Sequence, residues 1–353
     1  MRGLRLLLLF IPIAILAELL HWSPLIVFGS SALAVVPLAA LLGEATEAIA
    51  EKIGPRFGGL LNATLGNAAE LIITLFAVRA GLLDLVKASI IGSILGNVLL
   101  VGGASILAGG LKHGLQRFNR SHAGLDSTLA ILAVIALSIP SFFNAAIEPD
   151  QVRVEELSLT VAAAMLLIYV LSIVYTIRSR DKHEAATDTS IQPSHTAPRW
   201  TTRQSIGILI AATAAIVVMS EFLVSTVEPV SHALGLSEFF IGIIIVPIIG
   251  NVAEHVVAVQ VALKNQMDLS LSIVMGSSLQ IALFVAPVLV FVSLLMGHPL
   301  TLEFNSFELV SLIAASLISA LVSLDGESNW LEGATLLIVY AIVALAFFFL
   351  PSV

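Results

Sequence analysis

The sequence predicts an all-α polytopic membrane protein of about 11 transmembrane helices, built on an inverted internal repeat. Three observations carry that prediction. Of 353 residues, 58% are hydrophobic and 11% charged, whereas about 25% of a soluble domain is charged; the mean hydropathy is +1.04. Apolar runs of roughly 20 residues, the length that crosses a hydrocarbon core, recur along the whole chain. The motif "LGNAAELI" at 65–72 returns as "IGNVAEHV" at 249–256, placing a carboxylate twice inside apolar sequence.

Composition also excludes several classes. The chain has no cysteine, so it holds neither a disulfide framework nor a thiolate metal site. A formal net charge of −8 with only 16 lysines and arginines argues against a nucleic-acid partner. The expected surroundings are the lipid bilayer.

Taken in order, the spanning segments are 4–20, 24–50, 58–79, 84–110, 125–146, 155–178, 204–226, 239–263, 268–296, 305–324 and 331–350. The first, "MRGLRLLLLFIPIAILAELL", has the charge and apolar run of a signal peptide, but no small-residue cleavage pattern follows it, so a retained helix is expected. Connections are short except for the polar stretch from Arg178 to Trp200, which splits the chain near its middle. With the N-terminus in the cytoplasm, Arg2, Arg5, Lys52, Arg56, Lys112, Arg117, Arg120, Arg178, Arg180, Lys182, Arg199, Arg203 and Lys264 face inside. Only Arg79, Lys87 and Arg153 then face outside, a strong positive-inside bias. Eleven spans put Val353 on the far side.

A shift of 184 residues aligns the two halves without gaps over a useful stretch. Gly58 falls on Gly242, Gly66 on Gly250, Asn67 on Asn251, Ala69 on Ala253 and Glu70 on Glu254; Asp84, Gly92, Ser93 and Leu95 fall on Asp268, Gly276, Ser277 and Leu279. Leucine on leucine is common coincidence between apolar sequences; Gly-Asn-x-Ala-Glu with Asp and Gly-Ser at matching later offsets is not. Glu70 lies on the third span and Glu254 on the eighth. Five spans separate them, an odd number, so the second half enters the membrane upside down. Inverted repeats with a site near the midplane are the architecture of secondary transporters, and the pseudo-two-fold axis would bring the two glutamates together.

A carboxylate at the bilayer centre costs roughly 2.5–3.5 kcal/mol on insertion scales. Alanine or leucine would avoid that cost, so a symmetric pair points to a polar cavity with a function. Asn67 and Glu70, three residues apart, share a helical face, as do Asn251 and Glu254. Gly66 and Gly250 allow close backbone approach or local unwinding. Pro247 removes a donor and frees a carbonyl in its turn. On the following helices Ser93 and Asn97 share a face, as do Ser277 and Gln280; small residues and amides there suit a close crossing and supply neutral oxygens. Calcium takes 6–8 oxygens at flexible geometry, which Glu70 and Glu254 as metal ligands, with amide, hydroxyl and backbone oxygens, can meet. Zinc or copper would want histidine or cysteine. His255 is the one histidine in the repeat core, and it fits a neighbour that tunes Glu254 or takes a proton better than a ligand. When the cation leaves, two bare anions close together in low dielectric are unfavourable, so protons replace it. Mutually exclusive binding of this kind is what antiport requires.

At these residues the chain resembles the calcium/proton exchanger branch of the calcium/cation antiporter superfamily. The resemblance rests on "GNAAELI" at 66–72, "GSILGN" at 92–97, "GNVAEH" at 250–255, "GSSLQIA" at 276–282 and "DGESNWLEG" at 325–333. It implies one leading helix, 1–22, then two inverted five-helix repeats, 23–178 and 204–353, around a cytoplasmic linker, 179–203. It also implies Glu70 and Glu254 at the ion site. Sodium-driven relatives carry a second motif ending in Asp, whereas both motifs here end in Glu, which favours protons as counter-ion. The linker lacks the acidic stretch of many members, holding only Asp181, Glu184 and Asp188.

The expected function is export of Ca2+ in exchange for H+ across the cell inner membrane, with no cofactor, no enzymatic activity, and room for a homo-oligomer. The alternatives are a sodium/calcium exchanger or a broader Mn2+/Ca2+ transporter. An intramembrane hydrolase would need a metal motif, paired aspartates or an activated serine, and a channel would not need two symmetric glutamates. Glu44, Glu47 and Glu51 repeat at helical spacing and are expected to form a solvated stripe rather than an entrance that gathers cations.

Overall fold

The computed structural model describes residues 4–146, 151–184 and 200–350. A 3-10 turn, Leu4–Leu9, leads into α1 (Phe10–Leu19). There follow α2 (Pro24–Ile53), α3 (Pro55–Leu65), α4 (Ala68–Arg79), α5 (Leu83–Leu95), a π segment Gly96–Val101 and α6 (Gly102–His113). The short strand β1 (Gln116–Arg117), α7 (Arg120–Ala146) and α8 (Gln151–Glu184) complete the first half. The second half runs through α9 (Thr202–Ser225), α10 (Val227–Leu234), α11 (Glu238–Phe240), a π segment Ile241–Ile245 and α12 (Val246–Ala262). It continues with α13 (Met267–Gln280), a π segment Ile281–Val285, α14 (Ala286–Leu295), α15 (Ser306–Val322), β2 (Glu327–Ser328) and α16 (Trp330–Phe348).

Local sequence explains the punctuation. Pro24 and Pro55 sit in first turns, where a missing N–H is no loss. Gly54 turns the chain between α2 and α3 at φ +87°, a conformation glycine adopts freely. Capping boxes start α9 (Thr201 with Gln204), α15 (Asn305 with Glu308) and α16 (Asn329 with Glu332), each satisfying two otherwise orphaned donors. Helix α8 continues past the predicted span end at 178 to Glu184. Residues 185–199 of that linker, with Arg2 and Val353, lie outside the described residues.

Among the described residues, eight helices are long and apolar enough to cross a membrane, and α3 with α4, bent by 41°, makes a ninth. The other two predicted spans form shorter helices, ten residues in α1 and 17 in α15. Burial sorts the bundle into two layers. In the span Leu83–His113, 83% of the apolar window is buried, and in Met267–Leu295, 67%; in Val152–Thr176 and Trp330–Phe348 it is 22%. So α5 with α6 and α13 with α14 form the centre. Helices α8 and α16 show lipid an apolar face, with Leu167, Leu171, Ile338 and Ile342 exposed. The long helices α2 and α9 run along each other, and α1 packs on α2, where Arg5 pairs with Glu44 at 3.1 Å.

One end of the bundle is laced together by polar contacts. Strands β1 and β2 pair antiparallel, Gln116 with Ser328 and Arg117 with Glu327, and the Arg117–Glu327 side chains form an ion pair at 3.0 Å. Gln116 donates to the Ala262 carbonyl (3.1 Å) and to Asn265 Oδ1 (2.9 Å). Lys112 Nζ and His113 Nε2 both reach the Leu263 carbonyl at 2.8 Å, and Asn119 N–H donates to Asp268. The α12–α13 turn is therefore fixed from several sides.

Candidate functional site

The four site-bearing helices, α4 and α12 with α5 and α13, meet at the centre of the bundle. Glu70 begins α4 just after the break at Gly66–Asn67, and it is 3% exposed. Its Oε1 accepts from Ser93 Oγ of α5 and from Asn251 Nδ2 of α12, the latter at 2.5 Å. Each repeat thus supplies part of the cradle of the other: the asparagine beside Glu70 belongs to the second motif. Glu254 lies on α12 three residues past Asn251, on the same helical face, and its Oε2 is buried.

A second polar chain crosses the same centre. Asn97 Nδ2 donates to Ser277 Oγ at 3.0 Å, and Ser277 Oγ donates to Asn67 Oδ1 at 3.0 Å. His255 Nε2 lies 3.1 Å from Asn97 Oδ1, which ties the ring to the supporting amide network. Four buried atoms of this centre have no hydrogen-bond partner: Glu70 Oε2, Glu254 Oε2, Asn67 Nδ2 and Gln280 Nε2. Leaving such atoms unmatched is costly, and two of them are carboxylate oxygens, one from each repeat.

Contact explains the two motif glycines. A Cβ on Gly250 would lie 2.6 Å from Glu70 Cγ, and one on Gly66 would lie 2.8 Å from Gln280 Oε1. Both therefore make room for a polar side chain of the opposite repeat. Every residue singled out from the sequence (Glu70, Glu254, Asn67, Asn251, Gly66, Gly250, Ser93, Asn97, Ser277, Gln280 and His255) falls on these four helices, at the break before α4, or on the π segment after α5.

The symmetry expected from the motifs is incomplete. In the first half the helix breaks at Gly66–Asn67, but α12 runs unbroken through Gly250–Asn251. There the irregularity sits earlier, in the π segment Ile241–Ile245 ahead of Pro247. A proline cannot donate to the carbonyl four residues back, here Ile243. Glu70 is buried while Glu254 is partly exposed.

Among the described residues no three or more His, Cys, Asp or Glu side chains converge on a point that could hold a metal ion. The cradle consists of two carboxylates with neutral amide and hydroxyl oxygens. That donor set suits a hard cation bound transiently, with water and backbone carbonyls completing the shell, better than a resident transition metal.

The sodium/calcium exchanger protein family matches residues 23–178 and 204–349. A Ca(2+)/H(+) antiporter of Aphanothece halophytica is 43% identical over 363 residues, covering 98% of this chain and 96% of that protein. The Ca(2+)/H(+) antiporter ChaA of Bacillus subtilis is 42% identical over 96% of this chain and 97% of its own length. The solved structure of native YfkE superposes with a TM-score of 0.86 at 40% identity, over 98% of this chain and 100% of that one. The H+/Ca2+ exchanger CAX structure shares the fold, with a TM-score of 0.73 at 16% identity, over 98% of this chain and 91% of that one.

Proposed function

Because the chain belongs to the sodium/calcium exchanger protein family, we propose that it is a secondary active antiporter that exports Ca2+ in exchange for H+. The observation that carries this reading is the central cradle, in which Glu70 Oε2 and Glu254 Oε2 are buried without partners. Relatives that match nearly the whole chain are named for that exchange.

Each group has a role in the cycle. Glu70 and Glu254 bind the cation as carboxylates and hold protons once it has left, so the two cargoes exclude one another. Ser93 and Asn251 fix the orientation of Glu70, while Asn67, Asn97, Ser277 and Gln280 supply neutral oxygens. His255 steadies Asn97. Access comes from the gap between α3 and α13, where Gly276 faces open space and Glu254 is partly exposed. With the basic-residue bias placing the N-terminus in the cytoplasm, that gap opens inward, and the bacterial relatives support a plasma-membrane location. The five-helix repeats, 23–178 and 204–353, then exchange roles as α3 closes on α13 and the opposite crossing parts.

Calcium uptake into inverted vesicles after a pH jump tests the reading. Uptake driven by the proton gradient, absent when an equal sodium gradient replaces it, is expected. Uptake driven by sodium alone would move the protein to the sodium-coupled alternative.

A further inference from the structure

The gap between α3 and α13 raises the question of what holds α3 away. Helix α3 ends at Leu65, so the carbonyl of Ala63 is among the last four of that helix and has no intrahelical donor. Tyr169 of α8 donates its hydroxyl to that carbonyl. The same ring stacks on Phe284, with centroids 5.3 Å apart and planes 25° apart. Phe284 lies in the π segment that follows Gln280. One side chain, 7% exposed, thus joins the end of the gate helix that precedes Glu70 to the segment that follows Ser277 and Gln280.

Among the described residues, the second half has nothing equivalent. The repeat register places Pro247 opposite Ala63, and the α16 ring that meets the chain just ahead of the π segment Ile241–Ile245 is Phe348, edge-on to Phe240, with no hydroxyl to donate. There, instead, the π segment Ile241–Ile245 lies directly against α5: a Cβ on Gly92 would run into the Ile243 carbonyl oxygen. The half with the tyrosine is the parted one, and the half without it is the closed one.

We infer that Tyr169 is a positioning residue that latches α3 in the parted arrangement by capping the freed Ala63 carbonyl, and that this bond is released each time α3 closes on α13. The inference rests on the alternating-access reading of the same site. Its chemistry is separable from packing, since Tyr169→Phe keeps the stacked ring and removes only the hydroxyl.

The absence of cysteine makes a clean test available. Asn62 of α3 is exposed, and its repeat counterpart Val246 is 1% exposed in the closed crossing. Asn62→Cys and Val246→Cys, made separately, would be labelled with a membrane-impermeant maleimide in the purified protein, without calcium or a pH gradient. The ratio of the two rates reads the balance between the two arrangements. Tyr169→Phe is expected to lower that ratio about fivefold, the factor one hydrogen bond of ordinary net strength contributes, and to raise the calcium KM on the α3 face with little change in thermal unfolding. An unchanged ratio in Tyr169→Phe overturns the latch. A ratio lowered in Tyr169→Leu but not in Tyr169→Phe also overturns it, because ring packing would then carry the effect. A lowered ratio in a protein whose calcium flux follows sodium would support the latch and overturn only the choice of counter-ion.

Discussion

The crossing of α5 with the π segment Ile241–Ile245 and the crossing of α13 with α3 are related by the repeat, yet their matched positions differ sharply. Leu85 is 2% exposed and its counterpart Leu269 is 48% exposed; Ile241 is 0% exposed and Phe57 is 68% exposed. Gly92 is pressed against Ile243, and Gly276 meets nothing within 4 Å. Gly242 faces the Leu85 carbonyl of α5, while Gly58 has turned to the Ala50 carbonyl of α2. One sequence pattern has two packings within a single molecule. The pattern therefore does not dictate one fixed contact; it is compatible with both packings, as a bistable element requires.

The largest expected effect falls on what both crossings serve. Glu70→Gln and Glu254→Gln should each abolish exchange, by about 100-fold or more, since the amide keeps size and hydrogen bonding but cannot alternate between anion and acid. Vesicle flux checks this, with retained monodisperse protein as the folding control. Near wild-type flux in either variant would remove the two-carboxylate mechanism. The unequal burial adds a second measurement: a carbodiimide should modify Glu254, which is partly exposed, before the buried Glu70, with peptide mapping as the measure.

The glycine pair separates the crossings directly. Gly92→Ala puts a Cβ into the Ile243 carbonyl and should destabilise the observed arrangement, with lower yield and unfolding temperature. Gly276→Ala meets open space, so the protein should fold normally, bind calcium from the α3 side, and lose most turnover because α13 can no longer receive α3. Equal behaviour of the two variants would mean that the difference between the crossings is not functional.

A tenfold effect is expected at the asparagines, and unequally. Asn251→Ala removes a bond made directly to Glu70 and should raise the calcium KM by about tenfold, the span of a charge-assisted hydrogen bond. Asn67→Ala breaks a contact to Ser277 and should raise it less. The reverse order would place Asn67 as the closer ligand.

The proton effect is continuous and vanishes for any small step in pH. Protons and calcium compete for the same carboxylates, so acid fills the empty site and apparent calcium affinity falls as pH drops. The slope counts the protons released, about tenfold per pH unit for each one. Calorimetry in buffers of different ionisation enthalpy measures that count, which belongs to the pair and not to either glutamate. Zero protons released between pH 6 and 8 would exclude proton coupling.

Much of the molecule is legible in the chain. The spans show because lipid permits few solutions for a backbone. The site shows because a glutamate placed twice in apolar sequence, in matching surroundings, carries a cost that only a function offsets. The inequality between the halves is not legible. Gly92 and Gly276 are the same letter in the same context, and only packing tells them apart. Tyr169 is one aromatic in an apolar run, with no partner in the repeat to draw notice. The break at Gly66–Asn67 and the unbroken Gly250–Asn251 likewise share a motif.

The laced end of the bundle sets the tempo of the machine. Because the β1–β2 ribbon, Gln116 and the Lys112–His113 pair hold the α12–α13 turn, that end behaves as a stator. The part that the proposed cycle moves is α3, eleven residues between Gly54 and Gly66. Tilting one short helix against a rigid frame belongs to the microsecond-to-millisecond class of motions, not to the slower class of local unfolding. A transporter built this way can turn over quickly without loosening its core.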